Sequence, residues 1–167
     1  MTNKKLESEF ARVIADNQGI IHKMCSMYCD SPEDREDLFQ EIVLQVWKSY
    51  PSFKGNSKIS TWIYRVGLNT AISSFRKKKR QLTQQSMSIE ELQIPDRPFN
   101  YEFEERLKYM HEAIRQLNNV EKAIVMLYLE EHSYQDIAEI MGITESNVGV
   151  KLHRIKSKLK KMVRRAA

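Results

Sequence analysis

With 167 residues, the chain has room for one ordinary domain or two small ones. Its 41% hydrophobic and 29% charged residues describe a soluble globular composition, and only 5 Gly and 4 Pro leave little room for a turn-rich β architecture. A net charge of +5 admits a polyanionic partner, while the longest apolar run, Ala123 to Leu129, is far too short for a membrane span and the start MTNKKLESEF has no signal-peptide core. The expectation is a cytosolic protein built mainly of helices.

In chain order, Phe10, Val13, Ile14, Ile20, Ile21, Met24 and Met27 recur at helical intervals, predicting a helix over 9–28 with a soft point at Gly19. Its end holds the chain's 2 cysteines, Cys25 and Cys29, which share roughly one face with His22. Two thiols and an imidazole could begin a zinc site, but no fourth ligand is evident and the spacing matches no zinc-finger knuckle. Both cysteines read more simply as small packed hydrophobes, so neither metal nor cofactor is expected.

"DSPEDREDL" opens the next helix, with Ser31 as N-cap, Pro32 at the first helical position and acids where the helix dipole favours them. Leu38, Phe39, Ile42, Val43, Val46, Trp47 and Tyr50 form its apolar stripe, and Pro51 ends it. Between Asp30 and Glu41 six acids stand against Arg35, a local balance of −5. "PSFKGNSK" is a loop by composition. Helical periodicity resumes from Ser60 to about Arg80 through Ile63, Val66, Ile72 and Phe75, and a basic knot of Arg76, Lys77, Lys78, Lys79 and Arg80 decorates its end. The Gln- and Ser-rich stretch 81–103, with Pro95 and Pro98, reads as a flexible linker between domains at 1–80 and 104–167.

Beyond it, Leu107, Met110 and Ile114 mark one amphipathic helix and Val120 to Glu131 a strongly apolar one. Ser133 caps Tyr134 to Met141, and Thr144 caps a last helix from Glu145 to about Val163. A helix-turn-helix needs a small residue where its helices cross and a glycine in the left-handed turn; Ala138 and Gly142 meet both needs. Val148, Leu152, Ile155 and Leu159 lie on one stripe of the last helix, so Ser146, Asn147, Val150, His153, Arg154 and Ser157 lie opposite. That face is short and polar first, as suits base edges, and cationic later, as suits phosphates. From Glu145 to Ala167 eight bases oppose Glu145, a balance of +7. The fold class expected is all-α, two small helical domains on a tether, the second with a helix-turn-helix.

At this point a family is recognisable. "SYQDIAEIMGITESNVGVKLHRIKSKLKK" resembles the fourth-region DNA-binding helices of a bacterial sigma factor, and "DREDLFQEIVLQVWKSYPSFKGNSKISTWIYRVGLNTAISSFRKKKR" resembles the second region of the same family. Their order and separation resemble the small extracytoplasmic-function (ECF) sigma factors over roughly Phe10 to Leu159.

The resemblance implies that the acidic helix docks on the basic clamp helices of core RNA polymerase, with Asp34, Asp37, Gln40 and Glu41 as polar contacts and Leu44 and Trp47 packing. It implies that Phe53, Lys58, Trp62, Tyr64 and Arg65 capture unstacked bases of the minus-ten element, while Asn69 and the knot Arg76, Lys77, Lys78, Lys79, Arg80 follow duplex and backbone. It places minus-thirty-five recognition on Ser146, Asn147, Gly149, Val150, Lys151, His153 and Arg154. Lys or Arg is common in the family where Gly149 stands, so with Val150 this chain offers a bare, apolar surface suited to a thymine methyl. The implied partners are the polymerase clamp and flap, promoter DNA and an anti-sigma factor, with no small-molecule substrate. Nothing resembles a phosphate-binding glycine loop or a nucleophile with its base, so no enzyme is expected. Two other readings stay open: a conventional helix-turn-helix regulator with an N-terminal dimerisation or sensing domain, and a zinc-dependent helical interaction protein built on His22, Cys25 and Cys29.

Overall fold

The structure is a computed structural model that describes residues 3–82 and 101–166, with side chains at 3–74 and 102–165. Most of the expected linker therefore lies outside the described residues, as do the side chains of the Arg76 to Arg80 knot. Among the described residues there are seven α-helices and no strand: α1 (Asn3–Tyr28), α2 (Pro32–Ser49), α3 (Ile59–Leu82), α4 (Tyr101–Arg115), α5 (Asn119–Leu129), α6 (Tyr134–Met141) and α7 (Glu145–Ala166). A 3-10 turn, Tyr50–Ser52, follows α2 where Pro51 forbids its continuation.

Local chemistry sets these boundaries. Ser31 Oγ accepts from the Asp34 N–H at 3.1 Å with Pro32 just inside α2, and Ser133 Oγ does the same for Asp136 at the start of α6. Asn118, just beyond α4, starts α5 through a reciprocal capping box with Glu121. Gly142 ends α6 at φ 68°, a left-handed turn that Gly adopts without a β-carbon penalty, and its N–H bonds the Ala138 carbonyl. Gly19 does not interrupt α1, which is helical throughout.

Helices α1, α2 and α3 pack around Ile21, Met24, Ile42, Val46, Ile63 and Leu68, all at or near zero exposure. Gly67 lets α3 approach α1 closely, because a β-carbon there would collide with the thioether end of Met24. A second bundle, α4 to α7, closes over Ile124, Leu127, Ile137, Val148, Leu152 and Ile155. Each such side chain contributes about 1.5–3 kcal/mol relative to exposure, enough to make the apolar stripes the organising force of both bundles. The buried cluster is continuous from one bundle into the other. Helix α4 departs from its expected packing: Leu107 and Met110 lie at 43% and 40% exposure, so only the Ala113, Ile114 and Leu117 end of its stripe is covered.

Candidate polymerase and promoter interfaces

Burying Leu38, Ile42 and Val46 turns the opposite side of α2 outward. Asp37, Gln40, Glu41 and Leu44 are exposed there, Asp34 is half-buried at the helix start, and Gln45 Nε2 donates to Glu41 Oε1 at 3.0 Å. Trp47 is half-buried, edge-on to Phe10 at 4.8 Å. All six residues expected to bind polymerase therefore lie along one accessible helix.

Phe53, Trp62, Tyr50 and Phe10 form a string of aromatic contacts, with Phe53 and Trp62 4.9 Å apart and Tyr50 and Trp62 6.4 Å apart. Phe53 and Trp62 remain half-exposed at its edge, and Lys58 and Arg65, close to them in the chain, are exposed; Asn69 is exposed too but lines the cleft beside α2 with Asp37 and Glu41. Such an edge offers π faces beside cations, the combination that unstacked bases need.

Tyr64 does not join them. It is 4% exposed, its hydroxyl donates to the Glu130 carboxylate, and its ring stands edge-on to His132 at 5.0 Å. Burial and the neighbouring carboxylate push its phenol well above its ordinary range. Two residues along a helix is about 200°, so Trp62 and Tyr64 must face opposite ways. In this arrangement Tyr64 is an interface residue between the bundles and its ring is closed to bases.

In the helix-turn-helix, Thr144 Oγ1 accepts from the Asn147 N–H at 3.1 Å and starts α7. Ser146, Asn147, Val150, His153 and Arg154 are exposed on one face, Val150 at 47%. Lys151 is half-buried on one flank. Gly149 lies on the other, where a β-carbon would stand 3.7 Å from Tyr134 Cε2. Tyr134, missed from the sequence, thus overhangs the recognition helix with 43% of its surface exposed. Next to it Lys156 donates to the Tyr128 hydroxyl at 3.0 Å and lies 4.3 Å from that ring's centre. Because 3.7 Å is an ordinary contact, Gly149→Ala should raise stability by about 1 kcal/mol through helix propensity alone. Thermal denaturation checks this; a lowered melting temperature would mean that the Tyr134 contact is tighter than it looks.

Among the described residues His22, Cys25 and Cys29 do not come together as a cluster that could hold a metal. Cys25 is buried, and loss of hydration followed by the nearby Cys29 push its thiol up to about 11. His22 instead stacks on Phe39, ring centres 4.5 Å apart.

A model of sigma-70 region 2 matches residues 13–81, and one of sigma-70 region 4 matches residues 107–159. The chain is 30% identical to the ECF RNA polymerase sigma factor SigM of Bacillus subtilis (strain 168), over 78% of this chain and 80% of that one. The protein belongs to the ECF-type RNA polymerase sigma factors. Another relative, the ECF RNA polymerase sigma factor SigW of the same organism, is 26% identical over 95% of this chain and 90% of its own. The fold matches that of the sigma factor RpoE from Bartonella quintana, solved in complex with the anti-sigma factor NepR, at a TM-score of 0.70 and 20% identity over 96% of this chain and 98% of that one. As an ECF sigma factor it is a transcription-initiation subunit that binds core RNA polymerase, directs it to promoters and assists melting of the minus-ten element. The conventional regulator reading is not favoured, because it has no use for a region 2 upstream of the helix-turn-helix.

Proposed function

We propose how this sigma factor divides that work among its residues. Residues 1–80 form the polymerase and minus-ten module and 104–167 the minus-thirty-five module. Asp34, Asp37, Gln40 and Glu41 meet basic clamp helices of the polymerase, with Leu44 and Trp47 supplying the apolar part of the contact. Acid against base steers the encounter and fixes its register. Phe53 and Trp62 stack on flipped minus-ten bases, each worth about 1–3 kcal/mol, with Lys58, Arg65, Asn69 and the Arg76 to Arg80 knot on the backbone. Ser146, Asn147, Val150, His153 and Arg154 enter the major groove of the minus-thirty-five element, Lys151 approaching phosphate from the flank.

Catalysis belongs to the polymerase, and this chain supplies positioning and base trapping only. It works in the cytoplasm, where the polymerase is. An anti-sigma factor is its natural regulator, a reading supported by fold relatives solved in such complexes. One observation carries the proposal: a single chain presents an acidic helix, an aromatic-cationic edge and a capped recognition helix, each exposed. Run-off transcription with core polymerase tests it. Promoter-specific transcripts above core alone are expected, and tight duplex binding without stimulation would sink the reading.

A further inference from the structure

The rings behind the minus-ten edge come from outside the loop and helix that carry Phe53 and Trp62. Phe10 on α1 is 9% exposed and lies ahead of the stretch, residues 13–81, that matches region 2. Its ring stands edge-on to Trp47 at 4.8 Å and to Tyr50 at 5.4 Å, and Tyr50 in turn lies 6.4 Å from Trp62, tilted by 52°. Each spacing falls in the range over which aromatic pairs attract. Tyr50 is half-buried, and its ring joins Phe10 to Trp62.

Trp62 needs support of this kind. It closes the first turn of α3, where its N–H bonds the Lys58 carbonyl at 3.1 Å and no earlier helical turn exists for its side chain to lie on. Helical side chains lean toward the N-terminus of their own helix, so the Trp62 ring reaches back beyond the start of α3. Tyr50 meets it there, at the end of α2. The 3-10 turn that follows holds Phe53 as well: the Phe53 N–H bonds the Tyr50 carbonyl at 3.1 Å, and Ser52 Oγ donates to the Ser49 carbonyl at 2.6 Å. Tyr50 therefore holds one ring of the Phe53–Trp62 pair by contact and the other through its backbone. The two rings of that pair are 4.9 Å apart, and a base between them would need roughly 7 Å, two stacking steps of about 3.4 Å. A flipped base must then stack on a pair that stays together, and stacking yields most when the rings are fixed before the base arrives.

We propose that Tyr50, anchored by Phe10, is a positioning residue for minus-ten base capture: it contacts neither base nor polymerase and sets the angle at which Trp62 meets a flipped base. This rests on the minus-ten reading above. Because Phe10 carries Trp47 as well as Tyr50, one buried ring serves both the polymerase-docking helix and the base edge. Substitutions at Phe10 should disturb both partners, and substitutions at Tyr50 the base alone.

Reconstituted holoenzyme tests this with fluorescent non-template single strands, intact or carrying an abasic site at each minus-ten position in turn. On the intact strand Trp62→Ala should cost roughly 10- to 100-fold, the scale of one lost stack. Tyr50→Leu, which keeps apolar bulk without a ring, should cost about 3- to 10-fold, a fraction of that stack, with affinity for core polymerase and minus-thirty-five duplex within about twofold of wild type. At the abasic position whose base Trp62 would meet, wild type and Tyr50→Leu should bind alike, and in a Trp62→Ala background Tyr50→Leu should have no further effect. A general packing defect would instead lower binding to every strand equally and persist in both cases. Tyr50→Phe retains the ring and should restore wild-type binding. In free full-length Trp47→Phe, where Trp62 is the sole tryptophan, Tyr50→Leu should raise the acrylamide quenching of its emission. A Tyr50→Leu loss of equal size on all strands, one that persists without the Trp62 ring, or no loss at all would each overturn the positioning role while leaving base capture by Trp62 in place. Failure of the minus-ten reading shows differently, as Trp62→Ala holoenzyme that binds the intact strand as tightly as wild type, and it removes the positioning role with it.

Discussion

Asp37→Arg should weaken binding to core RNA polymerase roughly 100-fold, about 3 kcal/mol, while leaving affinity for minus-thirty-five duplex unchanged. Asp37 is exposed on α2 and takes no part in the buried core, so the fold should tolerate the change. Its effect arises from exchanging attraction to a basic clamp for repulsion, and like charges brought together at an interface cost several kcal/mol. Titration of labelled core polymerase at two salt concentrations measures the effect, and the defect should shrink at higher salt because the face is exposed. Unchanged affinity would remove α2 as the docking helix.

The sequence carried the elements it encoded locally. Ser31 with Pro32, Ser133, and Gly142 after Ala138 are each a cap or turn whose chemistry acts within a few residues, and the structure uses each of them. The candidate faces of α2 and α7 followed from the same logic: once the buried stripe is known, the helical period dictates what is left outside. Tyr64 shows where the resemblance and the helical period part: the resemblance groups it with Trp62, but about 200° of helix separates the two, and Tyr64 turns inward with Ile63.

The junction between the bundles was beyond local reading. Tyr28 and Asn119 are 91 residues apart and Tyr64 and Glu130 are 66 apart, and no periodicity links one helix surface to another across such a span. Lys122 illustrates the point: a lysine belongs by type to a solvated face, yet the packing of the two bundles buries it near Asp30. Conversely, Leu107 and Met110 read as core and lie substantially exposed, because nothing in the pattern of α4 says which of its apolar residues α7 will reach.

Arg154→Ala should cost about 1–3 kcal/mol of minus-thirty-five binding, a 10- to 100-fold loss, with polymerase affinity preserved. Arg154 lies one turn beyond Val150 on the exposed face of α7, past the short residues Ser146 and Asn147 at its start. Two contacts are open to its guanidinium, and they separate in one experiment. A bidentate bond to a guanine edge would make the loss largest on the preferred sequence and leave the salt dependence nearly unchanged. A phosphate contact would weaken all sequences alike and reduce the slope of log affinity against log salt by about 0.9. Val150 makes the first outcome more informative. With no donor there, and Gly149 beside Tyr134, the front of the helix is expected to read methyl groups and shape, so hydrogen-bonded discrimination should fall to Ser146, Asn147, His153 and Arg154. Binding of Arg154→Ala to a panel of singly substituted duplexes should therefore flatten preference at one base pair while the Val150 position keeps its own. Uniform loss at every position with an unchanged salt slope would fit neither contact and would move the reading face elsewhere on region 4.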